Sequence, residues 1–312
     1  MQLPKRVHIM EVGPRDGFQA EHDWIPTDRK IEIVDALSRA GIPEIQATSF
    51  VHPKAVPQLA DAEEVLAGID RLPGVRYQVL VPNMRGLQRA LPLKPDGIHL
   101  MMSATESHNR ANANRSIEDS MREFEQMVPA AREMGIEVEA GMACVFGCPF
   151  EGEVPLSQVE RLIARYRGMG ITRVSLGDTI GVANPRQVYD GCARLLDRFP
   201  DVTWTLHLHN TRDMALANVV AAMQAGVTRF DGAVGGLGGC PYAPGATGNV
   251  ATEDLVNMLV EMGVETGVDL DALIAVAKVV QSLVPHRLDS CMVRAGKRTE
   301  LKPPPTAQQK IG

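Results

Sequence analysis

The sequence predicts an α/β fold, a (β/α)8 TIM barrel with an additional helical segment at its C-terminal end. Short β-like runs alternate with helical patterns eight times along the chain, the order expected of βα units on a parallel sheet. The 312 residues suit one such unit, because barrels of this kind commonly run to about 250 residues. No Gly-x-Gly-x-x-Gly follows the first strand, which weighs against an open dinucleotide-binding sheet.

The candidate strands are residues 7–12, 44–48, 75–81, 97–102, 136–142, 173–176, 203–209 and 229–234. Thr27 is expected to cap a helix that carries Ile31, Val34 and Leu37 on one face and stops at Gly41. Asn184-Pro185 reads as an N-cap followed by a proline at the first helical position. Val188, Cys192, Leu195 and Phe199 then follow at 4-3-4 spacing. Thr252 is expected to cap the segment bearing Leu255, Leu259 and Met262, ended by Gly263. Residues 270–283 read as extra helix outside the barrel. Residues 1–300 form one catalytic domain without a linker, and residues 301–312 a proline-rich tail, disordered or loosely docked.

An apolar fraction of 45% with 22% charged residues is ordinary for a soluble enzyme. The net charge of −6 argues against a nucleic-acid partner, which would call for a basic surface. No apolar run approaches the ~18 residues of a membrane span. The start leads straight into a strand without an apolar or Arg-rich leader, so a cytoplasmic location is expected. Five cysteines lack framework spacing and read as reduced thiols, with Cys192 in the core and Cys144 and Cys148 structural.

The chemistry begins with His207 and His209. Two histidines at i and i+2 on a strand point to one face, with Leu206 and Leu208 on the other. Barrel enzymes work at the C-terminal ends of their strands. That rule gathers Arg15 and Asp16 after strand one, Gln46 to Ser49 at the end of strand two, Asp178 after strand six and the histidines after strand seven. Asp16, His207, His209 and Asn249 would supply mixed O and N ligands to a divalent ion, Mg or Mn, or else Zn, with positions left open for substrate. The glycine-rich loop 235–249 reads as a mobile lid that delivers Cys240. A thiol near a metal and Arg15 would be suited to proton transfer.

These segments together resemble the 3-hydroxy-3-methylglutaryl-CoA lyase family. The resemblance is carried by Glu11-Val12-Gly13-Pro14-Arg15-Asp16-Gly17-Phe18-Gln19, by Thr48-Ser49-Phe50-Val51-His52-Pro53-Lys54 and by Gly177-Asp178-Thr179-Ile180-Gly181-Val182. His207-x-His209 and residues 235–254 continue it. It implies retro-Claisen cleavage of a β-hydroxy acyl-CoA to acetyl-CoA, or a homologue, and a keto acid. A metal on Asp16, His207, His209 and Asn249 would lower the pKa of the substrate hydroxyl. Arg15 would stabilise the enolate oxygen, and Cys240 would move a proton. Arg15, Asp16, Cys240 and His207 are thus the expected catalytic residues. Gln46, Ser49, Asp178 and Arg212 join Arg15 against the substrate, and Arg110 and Arg115 are expected phosphate partners of CoA. A homodimer is the family's habit.

Two departures stand out. The family carries glutamate where this chain has Gln46, and Asp-Thr-Tyr-Gly where this chain reads Asn210-Thr211-Arg212-Asp213. Glutamine keeps the hydrogen bonding of glutamate but cannot carry its charge. Persisting chemistry on another acyl group, such as a methylmalyl- or citramalyl-CoA, is therefore one expectation. A Claisen condensing acyltransferase of the isopropylmalate synthase type is a rival, against which the cysteine loop and the lack of room for a regulatory domain argue. An inactive CoA-binding homologue is another.

Overall fold

The structure is a computed structural model that describes residues 1–239 and 248–301. Eight parallel strands close in sequence order into a barrel. They are β1 (His8–Glu11), β2 (Glu44–Ser49), β3 (Arg76–Leu80), β4 (Gly97–Ser103), β5 (Glu137–Ala143), β6 (Arg173–Asp178), β7 (Thr203–Leu208) and β8 (Arg229–Gly232). The helices between them are α1 (Thr27–Arg39), α2 (Ala62–Gly68), α3 (Met84–Ala90), α4 (Glu106–Ala113), α5 (Ile117–Glu133), α6 (Leu156–Gly168), α7 (Pro185–Arg198) and α8 (Ala215–Ala225). Among the described residues three more follow β8: α9 (Thr252–Glu261), α10 (Leu270–Leu283) and α11 (Cys291–Ala295). The C-terminal helical segment is therefore present. The proline-rich tail lies almost wholly outside the described residues.

Side chains alternate across each strand, and the two faces differ. The outward face is apolar and buried under the helices: Ile9, Ile45, Val79, Leu100, Val174, Leu206 and Phe230 are each 0 or 1% exposed. The lumen is polar. Fully buried Glu44 of β2 accepts from Arg173 of β6 at 2.7 Å and pairs with His8 of β1 at 2.8 Å and Arg229 of β8. Burial alone would raise its pKa, but His8 and the arginines hold it well below the carboxylate range. Gln78 of β3 adds Glu139 of β5 at 3.0 Å. An ionic floor thus replaces the branched aliphatic layers usual in such barrels.

Two predicted caps are corrected. Helix α1 begins at Thr27 itself after Pro26, and the Thr27 hydroxyl donates to Asp61 at 2.8 Å. Likewise α9 begins at Thr252, whose hydroxyl donates to Glu11 at 2.6 Å. Both threonines stand at the first helical position, one residue past the cap, and their hydroxyls donate to tertiary carboxylates. Asn184 does cap α7, accepting from Gln187 N at 3.0 Å. Among the cysteines, Cys144, Cys148 and Cys192 are buried and Cys291 is exposed. Burial pushes the Cys192 thiol up to about 12.

Candidate active site

After β1 the chain makes one π-helical turn, Gly13–Gly17, rather than a simple turn, with all five residues buried. The wider turn presents Arg15 and Asp16 side by side. Arg15 donates through Nη1 to Asp16 Oδ1 and through Nε to Gln46 Oε1. Gln46 is fully buried on β2, and its Nε2 has no hydrogen-bond partner among the described residues. Gln19 Nε2, one turn on, donates to Asp16 Oδ1 at 3.2 Å.

His207 stands near the end of β7, and His209 lies just beyond the strand in a bridge to Asn249. Their Nε2 atoms are 3.1 Å apart. Candidate ligand atoms of Asp16, His207 and His209 all lie within 4.8 Å of one another. Asn249 closes the group: its Nδ2 donates to Asp16 Oδ2 at 2.8 Å and to Leu237 O at 2.9 Å. Its Oδ1 is buried with no partner among the described residues. A buried oxygen without a donor beside a carboxylate and two imidazoles suits a hard or borderline divalent cation, and the donor set fits one.

The charges follow from this packing. Burial opposes ionisation of Asp16, but Arg15 and both histidines outweigh it and hold the carboxyl down at about 2. Burial also opposes a charged His207, yet Asp231 and Asp16 leave that imidazole above its ordinary value. His209 Nδ1 has no hydrogen-bond partner among the described residues, and burial beside His207 outweighs the pull of Asp16 and brings it down to about 3.

Gly238 approaches this cluster closely. A Cβ on Gly238 would come within 2.4 Å of Asn249 Nδ2 and 3.3 Å of Asp16 Oδ2, at a φ of +115° that favours glycine. The loop's base is pinned from beneath. Glu11 accepts from Gly13 N at 2.6 Å, Val234 N at 2.9 Å and Thr252 Oγ1. Glu253 accepts from Gly235 N at 3.0 Å. One buried carboxylate therefore joins the Arg15–Asp16 turn to both ends of the loop. Cys240 lies outside the described residues.

Sequence reasoning missed Glu11, Glu253 and Asp231. The readable signal was a charged residue inside an otherwise apolar strand or helix start, which has to find a buried partner.

The other expected contact residues are placed as follows. Ser49 ends β2, its hydroxyl accepting from Val51 N at 3.2 Å. Asp178 ends β6 and accepts from Val182 N at 2.9 Å and Ala183 N at 3.1 Å; burial raises its pKa. Arg212 Nη1 donates to Ile180 O at 2.9 Å and Gly181 O at 3.1 Å, tying the loop after β7 to that after β6. Arg110 on α4 pairs with Glu106 at 2.7 Å and is largely exposed. Arg115 donates to Glu123.

Fold and site together define a class, a TIM-barrel enzyme with a candidate divalent-metal centre at the C-terminal mouth. The HMGL-like family model matches residues 6–280, and the chain belongs to that family. It is 49% identical over 290 residues to hydroxymethylglutaryl-CoA lyase YngG of Bacillus subtilis, covering 93% of this chain and 97% of that one. The mitochondrial hydroxymethylglutaryl-CoA lyase of Bos taurus is 44% identical over 293 residues, covering 94% and 90%. A solved HMG-CoA lyase from Acinetobacter baumannii, in complex with coenzyme A and 3-methylmalate, superposes with a TM-score of 0.93 at 43% identity, covering 96% and 98%.

Proposed function

We propose that this chain is a metal-dependent carbon–carbon lyase that cleaves 3-hydroxy-3-methylglutaryl-CoA to acetyl-CoA and acetoacetate. The carrying observation is the convergence of Asp16, His207, His209 and the free Oδ1 of Asn249, with the Arg15 guanidinium beside them. Relatives at 44–49% identity over nearly the whole chain carry the lyase name.

The cleavage removes a proton from the C3 hydroxyl, breaks C2–C3, turns C3 into a ketone and leaves the electron pair on C2 as a thioester enolate. Protonation of C2 then gives acetyl-CoA. A divalent metal, when bound by these four residues, supplies charge that acidifies the hydroxyl and orients the substrate carboxylate. Arg15, braced by Asp16 and Gln46, is placed to receive negative charge developing on the thioester oxygen. Asp16 serves as a ligand, and its low pKa suits it to that role better than to proton uptake. His207, its Nδ1 proton held by Asp231, would serve as a ligand through Nε2, and the acidified hydroxyl would give its proton to solvent at the mouth. Cys240 is the expected donor to C2. Ser49 and Asp178 at strand ends and Arg212 in the loop after β7 are the proposed substrate contacts, and Arg110 on α4 and Arg115 just beyond it the proposed phosphate partners of CoA. Magnesium or manganese suits the mixed O and N set, zinc less so.

A second reading is favoured by Gln46. A neutral amide against Arg15 leaves the guanidinium's charge less compensated, which suits a malyl-type thioester, whose carboxylate lies one carbon nearer the hydroxyl. The relative from Acinetobacter baumannii is in complex with 3-methylmalate, the free acid of such an acyl group, beside coenzyme A. A homodimer and a cytoplasmic location complete the proposal; among the described residues no helix is long and apolar enough to cross a membrane.

The test is turnover of the methylglutaryl thioester by purified protein with added Mg²⁺ or Mn²⁺. We expect cleavage that requires metal and falls at least about a hundredfold in His209→Ala. Metal binding without turnover of any β-hydroxy acyl-CoA would sink the lyase reading.

A further inference from the structure

The two histidines of the cluster are held unequally. His207 Nδ1 lies 2.8 Å from Asp231 Oδ1, and that carboxylate is 3% exposed. Asp231 belongs to β8, in register with Met10 of β1, so it stands in the lumen between β7 and the Arg15–Asp16 turn. His209 Nδ1, by contrast, is buried with no partner among the described residues. A carboxylate accepts only, so the hydrogen bond to Asp231 requires the proton on His207 Nδ1. That leaves the Nε2 lone pair facing His209 Nε2, 3.1 Å away, and the Asp16 carboxylate.

We propose that Asp231 is a positioning residue of the metal centre: by holding the Nδ1 proton of His207 it fixes the tautomer and ring orientation that aim Nε2 at the cation. The inference rests on the metal-site reading above. Its chemistry is general, because a ligating imidazole is oriented and made more basic by a carboxylate on its other nitrogen. Asp231 itself reaches no ligand position, so it acts through His207. Asparagine at this position either accepts the same hydrogen bond without charge or turns its NH₂ toward Nδ1, which places the proton on Nε2 and removes a ligand.

The probe is Mn²⁺ alone, titrated into the full chain and followed by the signal of free Mn²⁺ in electron paramagnetic resonance. We expect Asp231→Asn and Asp231→Ala to bind Mn²⁺ about 10- to 100-fold more weakly than the unsubstituted protein. In a His207→Ala background, Asp231→Asn should cost less than about twofold, since its effect passes through the missing ring. Binding within about twofold of the unsubstituted protein in Asp231→Asn, or an equal loss in both backgrounds, would overturn the proposal. A wild-type chain that fails to bind Mn²⁺ would overturn the metal-site reading as well, which separates the two failures. Should the substituted chains not fold, ¹⁵N spectra of the metal-free wild-type protein at alkaline pH decide the matter. His207 should appear as the Nδ1–H tautomer, and an Nε2–H tautomer counts against Asp231.

Discussion

Arg15 meets a charged partner on one side and a neutral one on the other. Its guanidinium donates to the Asp16 carboxylate and to the Gln46 amide, and both contacts are buried. Buried charge–amide contacts are sensitive to changes of charge, because little water is present to screen them. Gln46→Glu should add a carboxylate against Arg15 Nε and weaken the pull of Arg15 on an anionic substrate. We expect the ratio of kcat/KM for the methylglutaryl thioester over a methylmalyl or citramalyl thioester to move by at least about tenfold, some 1.4 kcal/mol. Equal changes for both substrates would remove Gln46 from acyl selection. Gln46 was legible from the sequence as a departure at a strand end. Its partner was not, because Arg15 lies 31 positions away in the chain.

Where the loop after β8 leaves the barrel, Glu11 and Glu253 hold its base. Burial pushes Glu253 up to about 8 and Glu11 up to about 7, with Glu11 adding to the shift of Glu253 and Asp231 to that of Glu11. The folded chain thus keeps protons that an unfolded chain releases near 4.5. By linkage, stability from this pair is greatest at low pH and declines as pH rises from about 4.5 through about 8. Glu253→Gln removes one titrating group and keeps an acceptor for Gly235 N. Its unfolding midpoint, measured in chelator, should fall less than that of wild type between pH 5 and 8. Parallel profiles would show that Glu253 is ionised in the folded state. Helix α7 was readable in advance because Asn184-Pro185 caps it locally. The starts of α1 and α9 differ from the expectation by one residue: Thr27 and Thr252 stand inside the first turn, where their hydroxyls donate to the distant carboxylates Asp61 and Glu11.

At the scale of the whole molecule, the proposed metal centre would draw its ligands from three parts of the barrel: the turn after β1, the end of β7 and the loop after β8. Cation binding should therefore stabilise only the folded chain. With Mn²⁺ at about 100 times its Kd, a gain of ~2.7 kcal/mol is expected, which for a chain this long raises Tm by several degrees. His209→Ala should lose most of that gain. A Tm that ignores Mn²⁺ in both proteins would show that the cluster holds no cation.

The order of eight strands and helices was decided by the sequence, because each apolar run and turn signal is local, and eightfold alternation favours a parallel barrel. The ligand types, the Arg15–Asp16 turn and the histidine spacing were local as well. Tertiary structure alone decided what those residues touch. The lumen's ionic floor, the Asp231 carboxylate behind His207 and the carboxylates under the loop all depend on pairs brought together across the barrel. A buried charge shows in the sequence only as a polar letter in an apolar run, and the partner that makes its burial tolerable is known only once the barrel has closed.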